Sequence, residues 1–318
     1  MSAAPSLIAD IGGTNVRFAL VGEDGRPQLV QAMRCADFAG PAEAARAYLS
    51  AAAAGINPRR AAFAVASPVT GDRVDLTNSA WDFSIEAVRR DLGADSLEVV
   101  NDFTAVALSV RHLGADDRVR VGGGEAAPGA PVAVLGPGTG LGVSALVPDK
   151  AGTWVALATE GGHITMAAAD DREAAILSIL RARFGHVSAE RVLSGPGLVN
   201  LYEALAAVLR RPVHYTTPDA ISQRGLDGSC PLCRETLDTF FAMLGTVAGN
   251  LALSVGARGG VYLAGGILPR MRDAFVRSAF RTRFEDKGRF NAYLEPIPVW
   301  LITHPQPAFA GLAGLVRG

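Results

Sequence analysis

Two stretches of this chain read the same way although they lie far apart. Asp10–Leu20 runs DIGGTNVRFAL and Gly136–Leu146 runs GPGTGLGVSAL. In each, a glycine-rich turn containing Gly-Thr joins two apolar strands, and setting Gly13–Thr14 on Gly138–Thr139 also matches the apolar strand that follows. A repeated strand–turn–strand unit points to a duplicated α/β architecture with one such turn in each half. The chain has 318 residues, enough for two domains at roughly 100–200 residues each. With 49% apolar and 19% charged residues it belongs with compact globular chains rather than disordered ones.

A Gly-Gly-Thr turn presents consecutive backbone N–H groups and a hydroxyl with no Cβ in the way, a concavity suited to phosphate oxygens. Asp10 precedes the first turn at the end of an apolar strand. Its carboxylate cannot bind phosphate, but it can hold a Mg²⁺ that does, through water. Hairpin glycines with positive φ would explain either turn alone; two turns, one with a strand-end Asp, favour phosphate. Lysine occurs only at Lys150 and Lys287, and no G-x-x-x-x-G-K-[ST] is present, which excludes a Walker-type loop.

The balance of 31 acidic against 30 basic residues gives no basic surplus for nucleic acid or for anionic lipid. The longest apolar run, Met243–Ala257, is interrupted by Thr246 and Asn250. It falls short of the ~20 residues a membrane span needs and reads as a buried helix. The opening MSAAPSLIAD has no basic segment of the kind that begins a secretory signal. Three cysteines make no disulfide framework. The expectation is a cytoplasmic protein without a nucleic-acid or membrane partner.

Along the chain, strands are expected at 7–11, 16–21, 28–33, 61–66, 97–100, 132–135, 141–147, 261–264 and 298–303. Gly71–Asp72, between Val69 and Val74, reads as a tight hairpin. Helices are expected at 41–54, from Ser84 to Leu92 with Gly93 closing it, and from Asp102 to about Leu113. Others follow at 171–184, 196–210, 232–256, from Pro269 and from Pro307. Residues 114–131, rich in Gly, Ala, Pro and charge, read as the link into the second domain.

Five further segments are candidates for chemistry or binding. Asn101–Asp102 follows a strand, at the edge where α/β sheets gather ligands. Asp102 there either takes a proton from a substrate hydroxyl or caps the helix that follows. In TEGGHITM, Glu160 and His163 flank two glycines and suit paired hydroxyls of a polyhydroxylated ligand, against the plainer reading of a partly buried histidine. In SAERVLSGPGL, Ser188 begins a turn or short helix with Glu190 in its first turn, a favourable place for a carboxylate on dipole grounds. Gly265–Gly266 ends a buried strand, leaving bare backbone for a purine ring to lie against. Cys230 and Cys233 lack the further ligands structural zinc requires, leaving a structural role or a redox disulfide.

These segments, in this order, resemble the bacterial glucokinase family, within the superfamily of sugar kinases, Hsp70 and actin. The resemblance runs nearly end to end and includes ADIGGT (Ala9–Thr14), NDFTAVA (Asn101–Ala107), GTGLGV (Gly138–Val143), SGPGLVNLY (Ser194–Tyr202) and FEDKGRF (Phe284–Phe290). The C-x-C-G-x-x-G-C zinc signature of the repressor–ORF–kinase group is missing. The resemblance implies a two-domain, actin-like (ribonuclease-H-like) α/β sugar kinase fold with an interdomain cleft. Residues 1–112 with 303–318 would form the small domain and 113–302 the large one. It implies ATP-dependent phosphorylation of D-glucose at the 6-hydroxyl, the first step of glycolysis, with ATP and Mg²⁺ as cofactors.

Carried over residue by residue, Ala9, Asp10, Ile11, Gly12, Gly13 and Thr14 resemble the first phosphate-binding turn, with Asp10 near the metal through water. Gly138 and Thr139 resemble the second turn, and Gly265 and Gly266 the adenosine segment. Asn101, Glu160, His163 and Glu190 match residues that hydrogen-bond the glucose hydroxyls, and Asp102 matches the residue that binds the 6-hydroxyl and acts as general base. The family often dimerises, so a homodimer is compatible with the sequence. The alternatives are a kinase for another hexose or amino sugar, or a sugar-sensing protein without turnover. Retention of the base and both turns, and the lack of a helix-turn-helix ahead of Leu7, weigh against the sensor.

Overall fold

A computed structural model describes residues 5–76 and 81–317; the first four residues, part of the opening segment read above, lie outside the described residues. The chain divides into two compact units. The first comprises the residues up to Asp116, Ala156–Ala158 and those from His304 onward; the second comprises Asp117–Val155 and Thr159–Thr303.

In the first unit, β1 (Ser6–Ile11) enters the Gly-Thr turn and β2 (Asn15–Val21) leaves it antiparallel, with Asp10 opposite Arg17. β3 (Pro27–Arg34) pairs antiparallel outside β2. α1 (Pro41–Ala52) starts on a proline, whose missing N–H costs nothing at the first helical position. β4 (Arg60–Val65) then runs parallel beside β1. β5 (Arg73–Asp75) and β6 (Asp82–Ser84) form a separate two-stranded ribbon. α2 (Ile85–Leu92) is capped by Ser84, whose Oγ accepts the Ala87 N–H at 3.1 Å, and stops at Gly93 with φ 66°. β7 (Ser96–Asn101) runs parallel beside β4 and passes directly into α3 (Asp102–Ser109). The core of this unit gathers Leu7, Ile11, Phe18, Tyr48 and Phe63.

The hairpin expected at Gly71–Asp72 does not form, because β5 pairs with β6 instead. Asp72 has a stronger use. Its carbonyl accepts the Ile85 N–H at 2.8 Å and its Oδ1 the Glu86 N–H at 2.9 Å, so it serves the orphan amides that open α2.

The second unit begins inside the segment expected to be a link. β8 (Arg118–Gly122) is an edge strand antiparallel to the last strand of its sheet. Its arginines disguise it, since Arg118 and Arg120 lie over the Trp300 ring at 4.5 and 5.4 Å and cover apolar surface with charged side chains. β9 (Val132–Pro137), the second Gly-Thr turn and β10 (Leu141–Pro148) form an antiparallel pair. β11 (Trp154–Ala158), α4 (Asp171–Phe184), α5 (Gly195–Val208) and α6 (Pro218–Leu226) follow. Then come α7 (Pro231–Val255), β12 (Val261–Leu263), α8 (Arg272–Val276), α9 (Phe280–Glu285), α10 (Asn291–Leu294) and β13 (Val299–Ile302). A 3-10 turn on Leu268–Met271 stands where Pro269 was expected to open a helix, and α8 follows it.

By length and composition alone α7 could cross a membrane. In this chain Leu237, Phe240, Phe241, Met243 and Leu244 make its middle the centre of the second core, against Phe275, Phe280 and Phe284.

The chain ends in α11 (Pro307–Leu315), which belongs to the first unit and lies on α3, where Gly311 leaves room for the Ala105 carbonyl. The two large sheets repeat one pattern. The orders are β3-β2-β1-β4-β7 and β11-β10-β9-β12-β13, with β8 added at the edge of the second. In both, the Gly-Thr turn joins the central strand to its antiparallel neighbour, and the next two strands run parallel to the central one. The repeat is one of topology, not of every residue. The first turn closes by the Gly12 N–H on the Asn15 carbonyl at 3.0 Å, and the second, one residue shorter, by the Gly138 N–H on the Gly140 carbonyl at 2.8 Å.

Candidate functional site

The side chains of Ala9 and Ile11 are wholly buried, so only their backbone can meet a ligand. Gly12 and Gly13 are half-buried and Thr14 is exposed at the tip. The turn is braced from below by Cys35, whose N–H donates to the Thr14 carbonyl at 2.9 Å and whose thiol donates to the Gly12 carbonyl at 3.5 Å. Asp10, 30% exposed, faces the Arg17 guanidinium at 3.6 Å. Burial pushes its carboxyl above the usual carboxylate range and Arg17 pulls it back only in part. A desolvated carboxylate with incomplete compensation is a place where a cation is welcome. Arg17 escaped the sequence reading; its signal was its position directly across a hairpin from Asp10.

At the end of β7 the two polar residues divide their work. Asn101 is the N-cap of α3, its Oδ1 accepting the N–H groups of Phe103 and Thr104 at 2.9 and 3.4 Å, while its Nδ2 donates to the Ser67 carbonyl at 3.4 Å. Capping was the competing explanation for Asp102, and the structure assigns it to Asn101. Asp102 is the first residue of α3, half-buried, with Oδ1 accepting the Phe103 N–H at 2.8 Å.

In the second unit, the turn after β9 is held by the Gly195 N–H at the start of α5, which donates to the Gly138 carbonyl at 2.8 Å. Thr139 is exposed. Gly138 has no positive φ, and a Cβ there would meet nothing within 4 Å; the same holds at Gly266. Neither backbone strain nor packing demands glycine at these two positions. Gly136 and Gly265 are different. A Cβ on Gly136 would run into the Ala264 carbonyl, and one on Gly265, at φ 86°, into the Pro137 carbonyl. The ends of the parallel strands β9 and β12 can therefore abut only as bare backbone, at the carboxyl edge of the sheet where ligands collect.

Glu160, His163 and Glu190 come together beside this edge. Gly161–His163 forms a single 3-10 turn, laid so close on β10 that a Cβ at Gly162 would strike the Leu141 carbonyl. The Glu190 N–H donates to the Gly162 carbonyl at 2.9 Å, and Glu190 Oε2 accepts the Leu141 N–H at 2.9 Å. The His163 ring then stands 3.9 Å from each carboxylate, Nε2 from Glu160 Oε2 and Nδ1 from Glu190 Oε1. Both spacings are too long for hydrogen bonds. Of the turn or short helix expected from Ser188, the structure has the turn: Ser188 sits in an isolated bridge with Thr165 and residues 189–193 are turns and bends, with Glu190 among them. Among the described residues no group of three or more His, Cys, Asp or Glu could hold a metal ion.

Residues 7–318 match the family model for glucokinase. The chain belongs to the glucokinase family. A glucokinase of Paramagnetospirillum magneticum is 64% identical over 310 residues, 98% of this chain and 97% of that one. A glucokinase of Neisseria meningitidis serogroup C is 51% identical over 312 residues, 97% of this chain and 94% of that one. The crystal structure of a glucokinase from an Antarctic psychrotroph, 39% identical, superposes with a TM-score of 0.91 over 99% of both chains. The glucokinase fold expected from the sequence, actin-like α/β with two domains, is thus the fold of this chain. For a glucokinase, the repeated sheet supplies both Gly-Thr turns, and the acidic and histidine side chains cluster at the carboxyl edge of the second sheet.

Proposed function

We propose that this glucokinase-family enzyme transfers the terminal phosphoryl group of ATP to the 6-hydroxyl of D-glucose, with Asp102 as the base. The observation that supports the assignment is that Asn101 is the N-cap of α3, so the half-buried Asp102 stands one residue further on, as the first residue of the helix at the end of β7. An acceptor-only carboxylate can hold the sugar hydroxyl and take its proton as the O–P bond forms. Phosphoryl transfer asks little covalent work of the protein, so positioning and charge neutralisation dominate.

Glu160, His163 and Glu190 supply carboxylate oxygens and ring nitrogens for the remaining hydroxyls, and Asn101 adds its amide. A sugar lacking or inverting one hydroxyl leaves a partner unpaired, at ~1–3 kcal/mol each. The Gly12–Thr14 and Gly138–Thr139 turns offer N–H groups and hydroxyls to phosphate oxygens. Gly265–Gly266 offers bare backbone to the adenosine. The missing Cβ at Gly138 and Gly266, unexplained by the chain itself, fits close approach by such a ligand.

Mg²⁺ suits Asp10, where burial strains an under-compensated carboxylate. With one protein carboxylate the ion would rely on phosphate oxygens and water, its ordinary habit. When bound there it supplies charge neutralisation on the phosphates. Glucose and MgATP meet in the cytoplasm, which is where this reading puts the protein.

The test is a coupled assay for glucose 6-phosphate with MgATP, run beside mannose, fructose and N-acetylglucosamine. Strong preference for glucose supports the reading. Tight glucose binding with no turnover on any sugar would replace it with a sensor.

A further inference from the structure

The second unit carries two thiols at one helix end. Cys230 is the N-cap of α7, Pro231 its first residue and Cys233 its third. N-cap and N3 are the two positions whose side chains reach across the first helical turn towards each other's backbone in a capping box. Side chains placed there are neighbours by construction. In this chain both are thiols, both are free, and the Cys230 sulfur caps no amide. The Cys230 side chain stands near enough to the Cys233 thiol to help push its pKa up. Positions three apart on a helix stand about 5–6 Å apart at Cβ, so reaching the ~3.5–4.5 Å of a disulfide takes a shift of about 1–2 Å, which falls to Cys230 at the helix end, where the backbone is extended at φ −134° and ψ 110°. Pro231 fixes the intervening backbone at the helix start. With no group of metal ligands among the described residues, a zinc explanation fails.

The environments of the two sulfurs differ. Cys230 is half-exposed, its N–H donating to the Arg224 carbonyl at the corner between α6 and α7, whereas Cys233 is fully buried. We propose that Cys230 and Cys233 are a reversible dithiol–disulfide couple, Cys230 meeting the oxidant and Cys233 resolving it. The oxidant is a low-molecular-weight disulfide, RS–SR. The Cys230 sulfur, giving up its proton, attacks one sulfur of RS–SR; a Cys230–S–S–R bond forms, and the departing RS⁻ takes up a proton. The Cys233 sulfur then attacks the Cys230 sulfur, the mixed disulfide breaks, and the second RS⁻ leaves with the proton from Cys233. Two protein thiols are oxidised and one disulfide is reduced to two RSH. Burial, with the nearby Cys230 side chain, pushes the Cys233 thiol up to about 12, which fits its acting second.

Cys35 is an internal control. It is buried under the first turn, its thiol on the Gly12 carbonyl, and stays reduced. The experiment incubates the whole protein with oxidised glutathione, quenches, alkylates in denaturant and digests with trypsin. Both cysteines fall in one peptide, Gly225–Arg234. The expected result is that this peptide becomes two hydrogens lighter and unalkylated, reverting with dithiothreitol, while Cys35 is alkylated throughout. Cys233→Ser is expected to trap glutathione on Cys230, and Cys230→Ser to consume no thiol at the helix end. A wild-type peptide that keeps two alkylatable thiols, or that carries glutathione without an internal bridge, overturns the proposal.

Discussion

Glu190 Oε2 accepts the Leu141 N–H at 2.9 Å, while Oε1 of the same carboxyl stands 3.9 Å from His163 Nδ1. One side chain thus pins the start of β10 and faces the proposed sugar ligands. The two duties separate by substitution. Glu190→Ala leaves the amide of buried Leu141 unpaired, at ~1–3 kcal/mol, and the melting temperature should fall by several degrees. Glu190→Gln keeps an oxygen for that amide, so its melting temperature should hold while the KM for glucose rises about tenfold, one lost charge-assisted hydrogen bond. Calorimetry beside the coupled assay reads both, and an unchanged KM in both variants would remove Glu190 from the sugar site.

The pair at the end of β7 should split in the opposite sense. Asp102→Ala is expected to lower kcat by about 10²–10⁴, with the KM for glucose moving less and the melting temperature preserved. Asn101→Ala removes the cap of α3 and should cost about 1 kcal/mol of stability. Near-normal turnover in Asp102→Ala would refute the base assignment.

Glycines in the second unit divide by what their Cβ would meet. Gly138→Ala enters open space, so thermal stability should stay at the wild-type value while the KM for ATP rises about tenfold or more, if a phosphate approaches that backbone. Gly265→Ala must adopt φ 86° and displace the Pro137 carbonyl; it should destabilise the fold by more than the ~1–2 kcal/mol of the backbone strain alone. Thermal melts and ATP titrations of the two variants make the comparison.

Asp10 links function to pH. Its folded pKa is raised by burial, against the pull of Arg17. Between the ordinary carboxylate value and that raised value, the folded chain holds a proton the unfolded chain has released. Ionised Asp10 therefore costs stability at neutral pH, and the cost fades as pH falls through the folded pKa. Asp10→Asn should melt above the wild type at pH 7, with the gap closing in acid, and should lose turnover by about 10²-fold if Asp10 is the seat proposed for Mg²⁺. A variant that melts below the wild type at pH 7 would contradict the burial argument.

Much of this was legible from residues. The strands around both turns are continuous apolar runs bounded by glycine, and Ser84 with Gly93 marks both ends of α2 with side-chain and backbone chemistry of its own. β8 was not legible, because an edge strand whose arginines lie over Trp300 has the composition of a linker. The Gly71–Asp72 hairpin failed for a related reason: which partner an Asp serves, a turn or the amides of α2, is decided by where α2 lies. Within the site, the segments holding Glu160, His163 and Glu190 were visible separately. Their meeting depends on the Glu190 N–H finding the Gly162 carbonyl, a long-range bond that local sequence does not encode.

The repeated strand order also has a polarity. The strand entering the first turn reads LIADI and the one entering the second reads VAVLGP, so the shape is doubled but the negative charge is not. On the proposed reading, a metal-bound phosphate group would be drawn to the first turn, because Asp10 has no acidic counterpart ahead of the second.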